Sequence, residues 1–277
     1  MQFIQVILRG VGQVMFQNNT YSGILFLIGI FYNSWLLGLV ALLGTIISTA
    51  TALLLKYPNK DIQDGLYGFN GTLTGIAVFC FFEPTISSIL ALVLGALSST
   101  LVMHYLKRIV PPFTAPFVLV TWIMIYTLLF VVQLPLKIAP ALEFNSVDVF
   151  AATSNSFGQV MFQENIITGV FFVVAIALNN RLMAVYALYG ALLGSLTGWI
   201  FAVPNTEINA GLMGYNAILC AIALASNHRR DLLWMTIAII LSTGLNIVLE
   251  KTGIITLTAP FVLSTWIVLS IKNHIPS

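Results

Sequence analysis

Charged side chains are scarce in this chain of 277 residues: 7% are Asp, Glu, Lys or Arg, whereas 59% are hydrophobic. A soluble domain carries about 25% charged residues, so most of this chain must face lipid or other apolar helices. Its mean hydropathy is +0.99. The composition therefore indicates a polytopic membrane protein.

The chain also lacks a large net charge and has few cysteines. Its formal charge is +2, and no basic run is interleaved with aromatic residues, so no nucleic-acid partner is predicted. Cys80 and Cys220 lie in apolar segments at non-equivalent positions of the repeat described below, so neither a disulfide nor a metal site is expected. No cofactor is predicted. Because no catalytic triad or metal-ligand pattern falls at membrane depth, we do not expect an enzyme.

Ionisable groups are missing from the middle of the apolar segments. All nine acidic residues and all three histidines fall at or near a segment end. Ion-coupled carriers normally keep a charged group at mid-membrane, where its cost is tolerated only for function. The pattern favours passive movement of an uncharged solute. An ion-coupled secondary transporter of another small neutral metabolite is the alternative.

Three sequence blocks occur twice in the same order. GQVMFQNN at 12–19 returns as GQVMFQEN 146 positions later, with seven of eight residues identical, and GLYGFN at 65–70 returns as GLMGYN. TAPFVLVTWI at 114–123 returns as TAPFVLSTWI at 258–267, with nine of ten residues identical. The chain therefore consists of two homologous halves.

Apolar runs between polar breaks divide each half into about five segments. The ten runs are 21–32, 35–55, 65–82, 85–106 and 116–133, then 166–178, 182–203, 211–225, 232–250 and 259–271. A full crossing takes about 20 residues, so we expect the shorter runs to be short, bent or re-entrant. The predicted fold class is an all-α integral membrane protein.

The distribution of positive charge predicts how the halves are oriented. An odd number of crossings per half makes the second half enter from the opposite side. With a cytoplasmic amino terminus, nine of the eleven basic residues fall in cytoplasmic loops: Arg9, Lys56, Lys60, Lys107, Arg108, Arg181, Arg229, Arg230 and Lys272. Only Lys137 and Lys251 stay outside, as the positive-inside rule expects. We therefore predict two inverted halves, 1–134 and 158–277, joined by an external linker at 135–157, with both termini cytoplasmic.

Inverted repeats place equivalent residues near mid-depth, where a permeation path is expected. The candidate contacts are polar but neutral and occur in repeat-related pairs: Gln13 with Gln159, Asn70 with Asn216, and Thr114 with Thr258. Amides and hydroxyls both donate and accept hydrogen bonds, so they could replace the water around a small neutral molecule. The rings of Phe16, Phe69 and Tyr215 could wall a narrow slot that excludes hydrated ions.

In these blocks the sequence resembles the urea transporter family. The first half carries LRGVGQV at 8–14, GLYGFN and TAPF, and the second half carries GQV at 158–160, GLMGYN and TAPF again. Each motif is weak alone, but six in this order and spacing cover nearly the whole chain.

The resemblance implies facilitative, channel-like transport of urea down its gradient across the cytoplasmic (inner) membrane. It implies a homotrimer in the lipid bilayer with one pore per protomer. Gln13 and Gln159 would accept urea N–H groups at the two ends of the pore. The other implied pore residues are Phe69, Leu73, Tyr215 and Leu219 in a slot around urea, Phe16 and Val160 nearby, and Thr114 and Thr258 at the middle constriction.

Each candidate also has a plainer structural role. The two glutamines could satisfy N–H groups at a helix start, and the two asparagines could cap a helix or hold a Gly-rich turn. Each aromatic residue shares a helix face with the leucine four positions on, which is common in packing, and the threonines could cover carbonyls freed by the following proline.

Two positions depart from the family pattern. Some members carry Glu where Gln159 stands, and Tyr215 replaces the more usual Phe, so its hydroxyl could bond a neighbour or alter the width of the slot. Glu164, the single change in the opening block, is expected at an external boundary near a helix start.

Overall fold

Single polar residues divide the apolar chain into helices. In the computed structural model, which describes residues 3–137, 144–226 and 228–274, Ser34 and Asn180 each end one helix and begin the next, with φ of −151° and −152°. The side-chain oxygen of Ser34 accepts the N–H of Leu37 at 3.2 Å, and that of Asn180 accepts the N–H of Met183 at 3.1 Å. An oxygen at this position replaces a partner that the first turn lacks, so one residue suffices to break a continuous apolar run.

The chain divides into two units, Met1–Pro140 and Ala141–Ser277. The described part of the first unit contains helices α1 (Phe3–Gln13), α2 (Thr20–Asn33), α3 (Trp35–Leu54), α4 (Asn59–Gln63), α5 (Gly68–Phe81), α6 (Ile86–Leu106) and α7 (Ala115–Tyr126). A π-helical segment, Thr127–Val131, continues α7. Helix α5 packs against α1, α3, α6 and α7 and forms the centre of this unit.

The second unit repeats this order of elements. Its described helices are α8 (Val149–Gln159), α9 (Ile166–Asn179), α10 (Arg181–Ile200), α11 (Asn205–Asn209), α12 (Tyr215–Ala223), α13 (Arg229–Lys251) and α14 (Ala259–His274). Helix α12 takes the place of α5 and packs against α8, α10, α13 and α14.

Unusual backbone conformations recur at equivalent positions of the two units. Phe16 has a φ of 61° and Phe162, 146 positions later, has a φ of 59°. Phe113 and Leu257, which precede the two TAPF blocks, have φ values of 45° and 47°. Non-glycine residues rarely adopt positive φ, so the turns of the two units share a backbone geometry as well as a sequence.

Four helices in the described residues are long and apolar enough to cross a membrane: α3, α6, α10 and most of α13. Others are shorter. Helix α5 has 14 residues and α12 has nine, which correspond to about 21 and 14 Å at 1.5 Å per residue. Neither can span a hydrocarbon core of about 30 Å alone.

The all-α prediction is confirmed for the described residues, which contain helices and no strand. Helices α1, α4, α8 and α11 are additional to the predicted apolar runs. They are amphipathic or polar, so a search for apolar runs does not detect them. Helix α8 begins at Val149, inside the predicted linker, because Asp148 Oδ1 accepts the N–H groups of Phe150 and Ala151.

Gly65 and Gly211 show why the GL-x-G block needs its first glycine. Their φ values are +75° and +84°, a region that side chains rarely adopt. A Cβ on Gly65 would lie 2.5 Å from the backbone nitrogen of Gly10 in α1, and one on Gly211 would lie 2.3 Å from the carbonyl carbon of Asn155 in α8. The backbones therefore approach too closely for any side chain.

We expect Gly211→Ala to lower the free energy of unfolding by about 2 to 4 kcal/mol, since the substitution adds both a backbone strain and a clash. Gly244→Ala is the matched control, because a Cβ there meets nothing within 4 Å. Because Gly244 lies inside a helix, Gly244→Ala should raise the free energy of unfolding by up to about 1 kcal/mol. The measurement is the midpoint of thermal unfolding in detergent, and an equal midpoint for both variants would contradict the packing described.

Candidate functional site

The opening block of each unit forms a helix end followed by a tight turn. Helix α1 ends at Gln13, and the N–H of Gln17 then bonds the carbonyl of Gly12 at 3.0 Å. The buried Gln17 side chain donates from Nε2 to the carbonyl of Met15 at 2.6 Å. Two residues later, Asn19 Oδ1 caps α2 by accepting the N–H of Tyr21 at 2.8 Å.

The second unit builds the same turn. The N–H of Gln163 bonds the carbonyl of Gly158 at 3.0 Å, and its Nε2 donates to the carbonyl of Met161 at 2.7 Å. Glu164 is exposed and directly precedes Asn165, the N-cap of α9. The second glutamine of GQVMFQ is thus a buried structural residue in both units, a role not predicted from the sequence. The sequence did offer one indication of this role, since the glutamine is present in both copies of the repeat.

The first glutamine of the block lies at a helix end, not at a helix start. Gln13 is half-buried, and its Nε2 donates to the carbonyl of Asp64 at 2.8 Å. Because a carbonyl must receive a donor, this bond fixes which atom of the amide is Nε2. The Oε1 atom then remains an acceptor with no hydrogen-bond partner among the described residues.

Gln159 occupies the equivalent place at the end of α8 and is also half-buried. Within the part of the chain that the structure describes, its side chain makes no hydrogen bond. Both its amide oxygen and its amide nitrogen are therefore unengaged. Val160, which follows it, is buried.

The two asparagines cap helices that belong to other segments of their own units. Asn70 Oδ1 accepts the N–H of Phe117 at 3.1 Å, and Asn216 Oδ1 accepts the N–H of Phe261 at 3.2 Å. Phe117 and Phe261 lie in the first turns of α7 and α14, whose N–H groups have no partner within the helix. These contacts tie α5 to α7 and α12 to α14.

The candidate slot residues lie in the first two turns of α5 and α12. Phe69 and Tyr215 keep 6% and 7% of their surface exposed, whereas Leu73 and Leu219 are fully buried. Phe16 is half-buried and its ring makes an edge contact with Phe113, with 6.1 Å between centroids. Phe113 directly precedes Thr114, so this contact lies next to another candidate.

Thr114 and Thr258 are each 1% exposed. Thr114 is the N-cap residue of α7, but its side chain makes no capping hydrogen bond to that helix. Asn70 caps the helix instead, because its Oδ1 accepts the N–H of Phe117. The candidates of the first unit thus lie at the end of α1 and in the turn after it, on α5 and at the start of α7. Those of the second unit lie at the end of α8 and directly after it, on α12 and at the start of α14.

The hydroxyl of Tyr215 is engaged with neighbours of its own unit. It donates to the carbonyl of Leu257 at 2.7 Å and lies 3.0 Å from the hydroxyl of Thr256 and 3.2 Å from Oδ1 of Asn246. Of the two roles open to this hydroxyl, the structure shows hydrogen bonding to neighbours. Asn246, on α13, was not singled out from the sequence, because the contact joins segments 31 residues apart.

Comparison with known proteins places these motifs in one family. The family model described as "Urea transporter" matches residues 4–273. Among curated proteins, "Urea transporter 1" of Mus musculus is 34% identical over 265 residues, covering 88% of this chain and 68% of its own length. "Urea transporter 1" of Rattus norvegicus is 32% identical with the same coverage, and that of Capra hircus is 30% identical, covering 99% of this chain and 78% of its own.

We expect Tyr215→Phe to destabilise the protein by about 1 to 3 kcal/mol, since the substitution leaves the buried carbonyl of Leu257 without its donor. The measurement is again the thermal midpoint. Tyr21→Phe, at a tyrosine that is 71% exposed, is the control and should leave the midpoint unchanged. A midpoint for Tyr215→Phe at or above that of the parent would show that the hydroxyl does not support the fold.

Proposed function

The chain belongs to the urea transporter family, and from this premise we propose that it passes urea across the membrane as a passive channel. Members of the family are transporters and not enzymes. The observation that carries the proposal is the chemistry of the candidate contacts. They are amides, hydroxyls and apolar side chains, and Tyr215, the only one that can ionise, already donates its proton to a backbone carbonyl.

The glutamines supply the acceptors that urea needs. Urea offers four N–H donors and one carbonyl, so a path for it must be rich in oxygen atoms to offset the loss of water. Nε2 of Gln13 is held by the carbonyl of Asp64, which leaves Oε1 to accept a urea N–H. Gln159 has no such anchor, so its amide could either donate to the urea carbonyl or accept from an N–H group.

The slot is built on rigid elements. Phe69 and Leu73, and likewise Tyr215 and Leu219, lie one helical turn apart, so each pair presents one face. Leu73 and Leu219 are fully buried, and the Tyr215 hydroxyl is held by hydrogen bonds. A flat urea molecule between two such faces would lose little contact with its surroundings, whereas a hydrated ion would have to shed its water. Thr114 and Thr258 would supply hydroxyls at the constriction between the two ends.

The proposal includes the arrangement of the units and the assembly. The odd number of apolar segments per half and the asymmetry of the basic loops support two inverted halves with both termini in the cytoplasm. The cytoplasmic membrane as location and the homotrimer with one pore per protomer come from the family resemblance. Native mass measurement in detergent tests the assembly, since a stable monomer would remove the trimer.

We expect purified protein in sealed liposomes to give saturable urea flux, and Gln13→Ala and Gln159→Ala each to reduce it about five- to thirtyfold. Removing one uncharged hydrogen-bond acceptor weakens the binding of urea in the pore by about 1 to 2 kcal/mol, which corresponds to roughly this factor. Gln5→Ala is the control, because Gln5 lies exposed on the same helix as Gln13. No flux above empty liposomes would end the urea proposal, and equal losses for all three variants would remove the glutamines from the path.

Urea flux should also be independent of ion gradients. We expect the same initial rate with a proton gradient, with a sodium gradient and with neither, since no ionisable candidate residue is free to carry a coupled charge. The measurement is the rate of urea entry into liposomes at fixed urea concentration and imposed gradient. A rate that rises with either gradient would favour the ion-coupled alternative.

A further inference from the structure

The two units differ where a short helix, α4 or α11, lies near the end of a long one, α6 or α13. Residues 57–70 align with 203–216 without a gap, so Asp61 corresponds to Glu207. Asp61 and its partners belong to the first unit, and Glu207 and its neighbours belong to the second. The difference therefore concerns what each copy of the repeat holds at one and the same place.

Helices α6 and α13 align through two pairs of identical hydrogen bonds. Ser99 and Ser242 each donate to the carbonyl three residues earlier, and Thr100 and Thr243 each donate to the carbonyl four residues earlier. The helices also begin 143 residues apart, at Ile86 and Arg229. Carried to the helix ends, this register makes Glu250 the counterpart of Lys107 and Ile247 the counterpart of His104.

In the first unit this place is filled by the chain itself. The ammonium of Lys107 forms an ion pair with Asp61 and lies 5.1 Å from the centroid of the Tyr67 ring. Burial lowers the pKa of Lys107, but hydrogen bonds to Asp61 and Tyr67 outweigh that and raise it, so the group is a cation. Tyr57 stacks on His104 with 3.7 Å between ring centroids, and its ring centroid lies 5.2 Å from that of Tyr67.

In the second unit the same place is a cavity of about 430 Å³. Its walls include Val203, Leu212 and Ile247, and its acidic groups are Glu207 and Glu250. Glu250 Oε1 accepts a hydrogen bond from Nδ2 of Asn246 at 2.9 Å. Within the described ranges, neither carboxylate forms an ion pair, although Lys251 also lies at the cavity.

We propose that this cavity binds a primary alkylammonium ion, with its nitrogen between the carboxylates of Glu207 and Glu250 and its alkyl chain against the apolar wall. Two carboxylates that face one cavity repel each other, and a cation between them removes that cost. The first unit already contains such a pair. The Lys107 side chain is itself an alkylammonium, and it contacts Asp61, the equivalent of Glu207.

The walls of the cavity select the class of cation. A calcium ion requires six to eight oxygen ligands, and the cavity combines two carboxylates with aliphatic side chains. A primary ammonium needs only a few acceptors for its three N–H groups, and its methylene groups pack on apolar surface as a lysine stem does. Val203 and Ile247 stand where Tyr57 and His104 close the first unit, so the space for the alkyl chain is open.

The test is isothermal titration calorimetry on the full chain in detergent, with butylammonium chloride as the probe. We expect saturable binding of one ion per chain, at least tenfold weaker in Glu207→Gln and in Glu250→Gln. Glu83→Gln removes the same charge from an exposed carboxylate of the first unit and is expected to leave the affinity unchanged. Tetramethylammonium chloride, which has no N–H group, should bind at least tenfold more weakly than butylammonium.

Glu250→Lys is the decisive variant, because it restores the lysine of the first unit. We expect it to abolish butylammonium binding and to raise the thermal midpoint, since the new ammonium pairs with Glu207. The midpoints of the two glutamine variants show whether they are folded, independently of urea flux. The proposal is overturned by an absence of saturable heat in the parent, by unchanged affinity in both glutamine variants, by equal binding of tetramethylammonium, or by calcium displacing butylammonium at a lower concentration.

Discussion

The N–H groups at the starts of α7 and α14 have no partner within their own helices, and both helices begin among buried residues of their units. A donor buried without a partner costs several kcal/mol in an apolar medium, and the hydrocarbon region offers no water to satisfy it. Pro116 and Pro260 reduce the number of such donors, since proline has no N–H. Asn70 and Asn216 satisfy Phe117 and Phe261. The fold of each unit depends on this contact, because it joins the central helix to the last one.

The same contact sets the start of each central helix beside the start of the last one, because Asn70 and Asn216 lie in the first turns of α5 and α12. Each central helix follows a tight turn, at Gly65 or Gly211, that packs against α1 or α8. Residues in the first turn of α5 and α12 are thereby fixed by a cap, a glycine turn and dense packing. This rigidity is consistent with the pore role proposed for Phe69 and Tyr215.

Local features were predictable from the sequence and distant partnerships were not. The apolar runs and the polar residues between them marked the longer apolar helices of both units, since a single oxygen-bearing side chain such as Ser34 is enough to restart a helix. The repeat identified Gln13 and Asn70 as notable. Whether Gln13 starts or ends a helix, and that Gln17 holds the turn after it, depended on the short amphipathic helix α1, which hydropathy does not reveal. The bonds of Gln13 to Asp64 and of Asn70 to Phe117 span 51 and 47 residues, so they required the folded unit.

The departures of the second unit from the first are linked into one structure. The Tyr215 hydroxyl, whose proton goes to the carbonyl of Leu257, lies 3.2 Å from Asn246 Oδ1, and Asn246 Nδ2 donates to Glu250 Oε1 at 2.9 Å. The equivalents in the first unit are Phe69, Met103 and Lys107, and these contacts have no counterpart there, because Phe69 has no hydroxyl and Met103 has no N–H donor. Asn246 also accepts a hydrogen bond from Asn216 Nδ2 at 3.4 Å and donates to the carbonyl of Leu212 at 3.4 Å, so it ties α13 to α12 and to the turn before α12. Tyr215 in the candidate slot and Glu250 in the acidic cavity therefore share one polar neighbour, Asn246, and the first unit has an apolar methionine at that position.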